Sequence, residues 1–341
     1  MFEHPTILLL GSLGVTLFFV LSGFLITYLL INEKESTGTV QIKKFYVRRV
    51  LRIWPLYFLI IILGLFIFPF IPFFNFPVWS ANIFMGYGAK IILFLLILPN
   101  VCLIIYPAMP FMKQTWSIGV EEQFYLIWPV IIKYTKNYLK PLLFIAIFFF
   151  FITGFLFWVT NKYFMNGNSF LPMLNFLKQY FLSFRVGCMA IGGIAAYIVY
   201  FKKESVLKII CLPLFQYFLY AILIFFLYNG ISVKYFQNEF YSCMFAVIII
   251  NLAYNKKTVL SLSHKLFEFL GKISYGIYMY HPICIFVIYK IAKYFFGNMN
   301  SILSNIFLYL FTITFTITIS FLSFKYMESY FLKFKHRFTI V

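Results

Sequence analysis

Four short stretches hold the side chains with which this chain could do chemistry. In RRVLRIWP at 48–55, Arg49 and Arg52 lie three residues apart. On a helix they share a face, and two planar guanidinium forks there suit a phosphate. In TWSIGVEEQFYLIWP at 115–129, Glu121 and Glu122 stand at the head of an apolar run. A carboxylate at the mouth of a membrane span is costly to desolvate and marks function by default. Neighbouring positions point about 100° apart on a helix, so one of the two faces the bundle interior. In GKISYGIYMYHPICI at 271–285, Ser274, Tyr278 and His281 fall in one helical sector, with Tyr275 beside them. An intramembrane imidazole calls for a partner, and its role is either a structural hydrogen bond or proton transfer. Arg185, in FRVGCMAIGG, precedes Gly187, Gly192 and Gly193. There, close helix packing is the default reading, with a snorkelling Arg185 or a substrate contact beside it.

The elements that must position these groups follow from composition. With 63% hydrophobic and 11% charged residues and a mean hydropathy of +0.93, the chain reads as an all-α, polytopic transmembrane helix bundle. Spanning the bilayer takes about 20 apolar residues. Nine stretches qualify: 7–30, 53–73, 118–133, 141–160, 180–200, 208–229, 239–254, 273–294 and 303–326, those at 118–133 and 239–254 being short. The stretch 84–108 is also apolar but is broken by Gly86, Gly88, Lys90, Pro99 and Pro107. It reads as a helix on or dipping into the membrane surface; were it to span, the topology after it would invert. Of the 28 Lys and Arg, 20 fall in segments 31–52, 133–140, 201–208, 255–272 and 325–341. That bias puts those segments and the C-terminus in the cytoplasm and Met1 outside.

The same distribution decides what a net charge of +19 means. The cations lie between apolar runs rather than along one stripe, which excludes a nucleic-acid surface and leaves anchors facing anionic lipid. Nine Glu and no Asp exclude any Asp-dependent triad or Asp-rich metal motif. The five cysteines, Cys102, Cys188, Cys211, Cys243 and Cys284, sit in apolar surroundings without C-x-x-C or metal spacing and read as buried free thiols. Nothing points to a metal.

Taken in order, FFVLSGFLIT at 18–27, RRVLRIWP, TWSIGVEEQFYLIWP and ISYGIYMYHP resemble the integral-membrane acyltransferase family 3, which includes bacterial O-antigen and exopolysaccharide acetyltransferases. The resemblance implies one membrane-embedded domain over 1–341 in the bacterial cytoplasmic membrane. It implies an acyl-CoA donor, acetyl-CoA above all, on the cytoplasmic side, no bound cofactor, and an envelope glycan or other hydroxyl acceptor. It carries donor binding onto Arg49 and Arg52. It carries the catalytic glutamate onto Glu121, with Trp116 and Ser117 in place and Ile118 for the usual Leu, and a Tyr-x-x-His region onto Tyr278 and His281. Ser22, Gly23 and Phe24 match its Ser-Gly-Phe element. Glu121 and His281 are thus the catalytic candidates, the carboxylate orienting an imidazole that takes the acceptor's proton. Ser22, Trp116, Ser117, Arg185, Ser274 and Tyr278 are supporting groups.

One departure stands out. The family's first-span histidine has a basic residue eleven positions before it, whereas His4 has three residues ahead of it and precedes the first apolar run. That departure and the odd span count share one explanation, a chain lacking the family's first helix. A non-catalytic relative, or a transporter or flippase, are the alternatives to an enzyme.

Overall fold

The computed structural model describes residues 5–74, 83–164, 171–231, 233, 235–297 and 302–338. Every regular element among them is helical, as the apolar runs predict. In chain order, α1 spans Pro5–Thr37, α2 Ile42–Ile62, α3 Tyr87–Leu95, α4 Pro99–Ile105, α5 Trp116–Tyr134, α6 Leu139–Phe164 and α7 Leu171–Ser183. They are followed by α8 at Val186–Tyr200, α9 at Glu204–Ile210, α10 at Pro213–Tyr228, α11 at Gln237–Tyr254, α12 at Lys265–Phe296, α13 at Ile302–Ser323 and α14 at Ser329–Lys335.

Among the described residues, five stretches are long and apolar enough to cross a membrane: Leu10–Thr37, Ile42–Phe70, Leu139–Lys162, Pro172–Tyr200 and Ile302–Phe334. A sixth is added if α9 and α10, bent by 62°, form one span. The protein is a multi-pass membrane helix bundle. Helices α5, α11 and α12 complete the nine stretches read from the sequence but lie outside this set.

Three boundaries differ from the sequence reading. α1 runs on through its polar tail to Thr37 instead of ending near residue 30. Gly38, with φ +77°, turns the chain there as its N–H bonds to the Lys34 carbonyl at 2.8 Å. The Glu33 carboxylate accepts the Gln41 N–H at 2.7 Å, next to the start of α2. The polar loop between the helices is therefore four residues long. The stretch read as one helix over 208–229 breaks at Cys211 and Leu212, because Pro213 begins a new helix at N1. The stretch 84–108 holds two short helices, α3 and α4, of nine and seven residues, too short to cross as either one. Lys90 is fully buried there, and its ammonium donates to the Ile83 carbonyl at 2.8 Å.

The chain divides into two compact units, one of Met1–Ile42 with Gly119–Ser261 and the other of Lys43–Ile118 with Leu262–Val341. In the first, α8 is the hub, packed by α1, α6 and α11. Its sequence, VGCMAIGGIAAYIVY, is small enough for backbones to approach closely. A Cβ on Gly192 would strike the Val20 carbonyl oxygen of α1, and one on Gly23 the Met189 carbonyl oxygen of α8. In the second unit, α12 packs along α13, with Gly276 against Ser320. Phe68, Phe111 and Phe286 form its aromatic core. The cysteines are free: Cys102, Cys188 and Cys284 are buried as expected, Cys211 is partly buried, and Cys243 is exposed on α11.

Candidate active site

In the first unit, α1 and α5 run parallel and are joined at successive levels. The Ser22 hydroxyl donates to the Glu121 carboxylate, and Tyr125, one turn along α5, donates to the same oxygen at 2.7 Å. Below it, Trp128 Nε1 donates to Thr27 Oγ1 at 2.9 Å. Lys34 then caps the end of α5, donating to the carbonyls of Ile132 and Thr135 at 2.9 and 2.6 Å. Tyr138 donates to Glu35 at 2.6 Å. Burial, then the bond to Glu35, push the Tyr138 phenol well above its usual value, so it stays a donor. Partner numbers climb together along both helices, so one register fixes the depth of Glu121. That carboxylate is 2% exposed, while Glu122 is only partly buried.

In the second unit, Gln114 is the centre of a polar knot around α12. Its side-chain nitrogen donates to the carbonyls of Phe111 and Met279 at 2.8 and 2.9 Å. Its own carbonyl accepts the Tyr278 hydroxyl at 2.8 Å and the Ser117 hydroxyl at 3.2 Å. Ser117 Oγ and the Tyr278 phenol are 2.7 Å apart. His281, one turn on, sets Nδ1 2.7 Å from the Tyr278 carbonyl. A carbonyl only accepts, so Nδ1 carries the proton and the neutral ring presents its lone pair at Nε2.

Other sequence candidates fall elsewhere. Ser274 is exposed and donates to the Gly271 carbonyl of its own helix at 2.9 Å. It shares a sector with His281 but lies two turns away, about 10 Å along the axis. Trp116 opens α5, partly buried. Arg185, just ahead of α8, donates to the carbonyl and hydroxyl of Ser12 at 3.1 Å each and to the Thr16 hydroxyl at 2.8 Å. It clasps α1, so the snorkelling reading gives way to a structural one. On α2, Arg49 stacks its guanidinium over the Phe45 ring at 5.4 Å, and Arg52 is exposed. Arg48 donates to the Phe338 carbonyl at 2.7 Å. His4 lies outside the described residues.

The acyltransferase domain of family 3 matches residues 1–325. The chain belongs to acyltransferase family 3. A Staphylococcus aureus (strain COL) protein named Putative O-acetyltransferase is 27% identical over 344 residues, covering 95% of this chain and 53% of that protein. O-acetyltransferase OatA of S. aureus (strain NCTC 8325) is 31% identical over 294 residues, covering 81% of this chain and 46% of its own. The chain thus spans about half the length of these relatives. No solved structure matches it.

Several residues that hold the two polar clusters of this acyltransferase-family chain were not singled out from sequence. Gln114 stands two positions before the Trp116-Ser117 pair, and a lone Gln beside a motif carries no signal of burial. Thr27 and Tyr125 lay inside quoted motifs; Tyr125 is four residues from Glu121, the spacing that places side chains on one helix face, whereas Thr27, five from Ser22, is not so marked.

Proposed function

We propose that this chain is the membrane domain of an O-acyltransferase that moves an acyl group, acetyl in the first instance, from acyl-CoA to a hydroxyl of cell-envelope carbohydrate. Membership of acyltransferase family 3 and the O-acetyltransferase names of its relatives support the reaction class. The observation that carries the chemistry is His281 Nδ1, 2.7 Å from the Tyr278 carbonyl, an acceptor that leaves Nε2 as the basic nitrogen of the neutral ring.

In this reading the acceptor hydroxyl oxygen attacks the thioester carbonyl while its proton passes to Nε2 of His281. The CoA thiolate leaves and takes that proton, giving an ester and free CoA. Glu121, the second catalytic group, contributes a buried carboxylate whose position Ser22 and Tyr125 hold. Arg49 and Arg52 hold the CoA phosphates on the cytoplasmic side, where the Lys and Arg bias places α2's basic end. The acceptor arrives from the outer face.

The test is transfer of labelled acetyl groups from acetyl-CoA in membranes. Hydrogen bonds to charged groups contribute about 1.5–3 kcal/mol, so Arg49→Ala and Arg52→Ala are each expected to raise the KM for acetyl-CoA by roughly tenfold or more. Glu121→Gln is expected to remove turnover while the protein still folds. Wild-type kinetics in all three variants would overturn the site. Activity that needs an ion gradient and no acyl-CoA would overturn the enzyme reading.

A further inference from the structure

Within α12, a proline follows the histidine directly. In an α-helix the N–H of residue 282 would bond to the carbonyl of residue 278. Pro282 has no N–H, so nothing reaches the Tyr278 oxygen from that position. The group that does reach it is His281 Nδ1, at 2.7 Å. A proline one position earlier or later would instead have withheld the N–H directed at Ile277 or at Met279.

We propose that Pro282 is a positioning residue for acyl transfer: by withholding its own N–H it gives the Tyr278 carbonyl to His281, which holds the imidazole as the Nδ1–H tautomer with Nε2 as proton acceptor. This rests on the reading of His281 as the base. The turn is braced from outside the helix as well. Gln114 Nε2 takes the Met279 carbonyl at 2.9 Å, and the Tyr278 phenol is held on the Gln114 carbonyl at 2.8 Å. The Tyr278 side chain and the Met279 carbonyl, on either side of the His281 acceptor, are thereby held. A proline inside a helix costs roughly 3 kcal/mol. Here the broken ladder sets which ring nitrogen of His281 bears the proton.

The experiment compares the full chain in nanodiscs with two variants at position 282. Nitrogen-15 NMR of histidine-labelled protein reads the tautomer, and His281→Gln identifies the His281 signals. Pro282→Ala restores the N–H. It is expected to move His281 from the Nδ1–H toward the Nε2–H form. General-base catalysis contributes roughly 10²–10⁴-fold, so kcat should fall on the order of tenfold or more with the KM for acetyl-CoA unchanged. The second variant places the α-hydroxy analogue of alanine at 282, an ester with no N–H. It should keep the Nδ1–H form and recover kcat, which a merely straightened helix would not do. An unchanged tautomer in Pro282→Ala, or an ester variant that behaves like alanine, overturns the proposal. If the wild type holds the Nδ1–H form yet transfers no acyl group, the acyltransferase reading fails and the catalytic use of the lock with it, while the hydrogen-bond assignment stands.

Discussion

Glu121 and Glu122 are adjacent yet differ in what they can do, because the helix turns one into the first unit's interior and leaves the other partly buried. That division was legible, since neighbouring residues cannot share a face. It predicts asymmetry: Glu122 also buries a carboxylate oxygen, but about 100° round the helix from the face that Ser22 and Tyr125 hold, so Glu122→Gln should lower kcat far less than Glu121→Gln, which loses turnover. Equal losses in the transfer assay would show that burial does not separate the two. Depth was less legible than facing. Ser274 shares a sector with His281, but periodicity does not say how far along α12 the polar knot sits; Gln114 decides that by reaching Met279. Lys90 shows the same limit, for in the sequence it stands only as one of the breaks in the apolar stretch 84–108. Its burial leaves the Ile83 carbonyl dependent on it, so Lys90→Met should cost about 1–3 kcal/mol, measured as a lower Tm in detergent. Burial also holds the Lys90 ammonium below its usual value, with a smaller opposing effect from Cys102. The unfolded chain then binds the proton more readily than the folded one. The advantage of wild type over Lys90→Met should therefore grow as pH rises from the folded value toward 10.5.

At the scale of elements, α8 shows what sequence conveys well. Its glycines read as close helix packing, and they are points where α1 and α8 meet backbone to backbone. Gly192→Ala would drive a methyl into the Val20 carbonyl, and overpacking of this kind costs about 1–3 kcal/mol. The expected result is a lower Tm with the KM for acetyl-CoA unchanged, since α8 carries none of the groups proposed to bind the donor. A shifted KM at unchanged Tm would mean that α8 contributes to donor binding. Helix ends were harder to read. The polar tail of α1 consists of residues compatible with either loop or helix, and Gly38 with the Glu33 carboxylate settles where it stops. Pro213 was visible, but a proline is equally at home in a kink and at a first turn.

For the whole molecule, charge rather than shape assigns the sides of the membrane. The five basic segments read as cytoplasmic, which places the end of α10 outside and the turns after α5 and α11 inside. Length and hydropathy alone admit five or six crossings among the described residues. An odd or even number of crossings between two turns fixes whether they share a side, so the two measures can be set against each other by labelling. Single cysteines at Asn137, Asn229 and Lys256, each exposed or at a turn, report the three sides in order. A membrane-impermeant maleimide should label position 229 in intact cells and positions 137 and 256 only after permeabilisation. α3 and α4 are too short to cross singly. If the pair nonetheless crosses, all three positions lie after it and invert together, leaving 137 and 256 labelled from outside and 229 protected. If α11 fails to cross, position 256 alone changes sides. The first result would move the basic segments after α4 to the outer face against the charge bias, and the second would leave Arg49 and Arg52 cytoplasmic and the donor site where it is proposed.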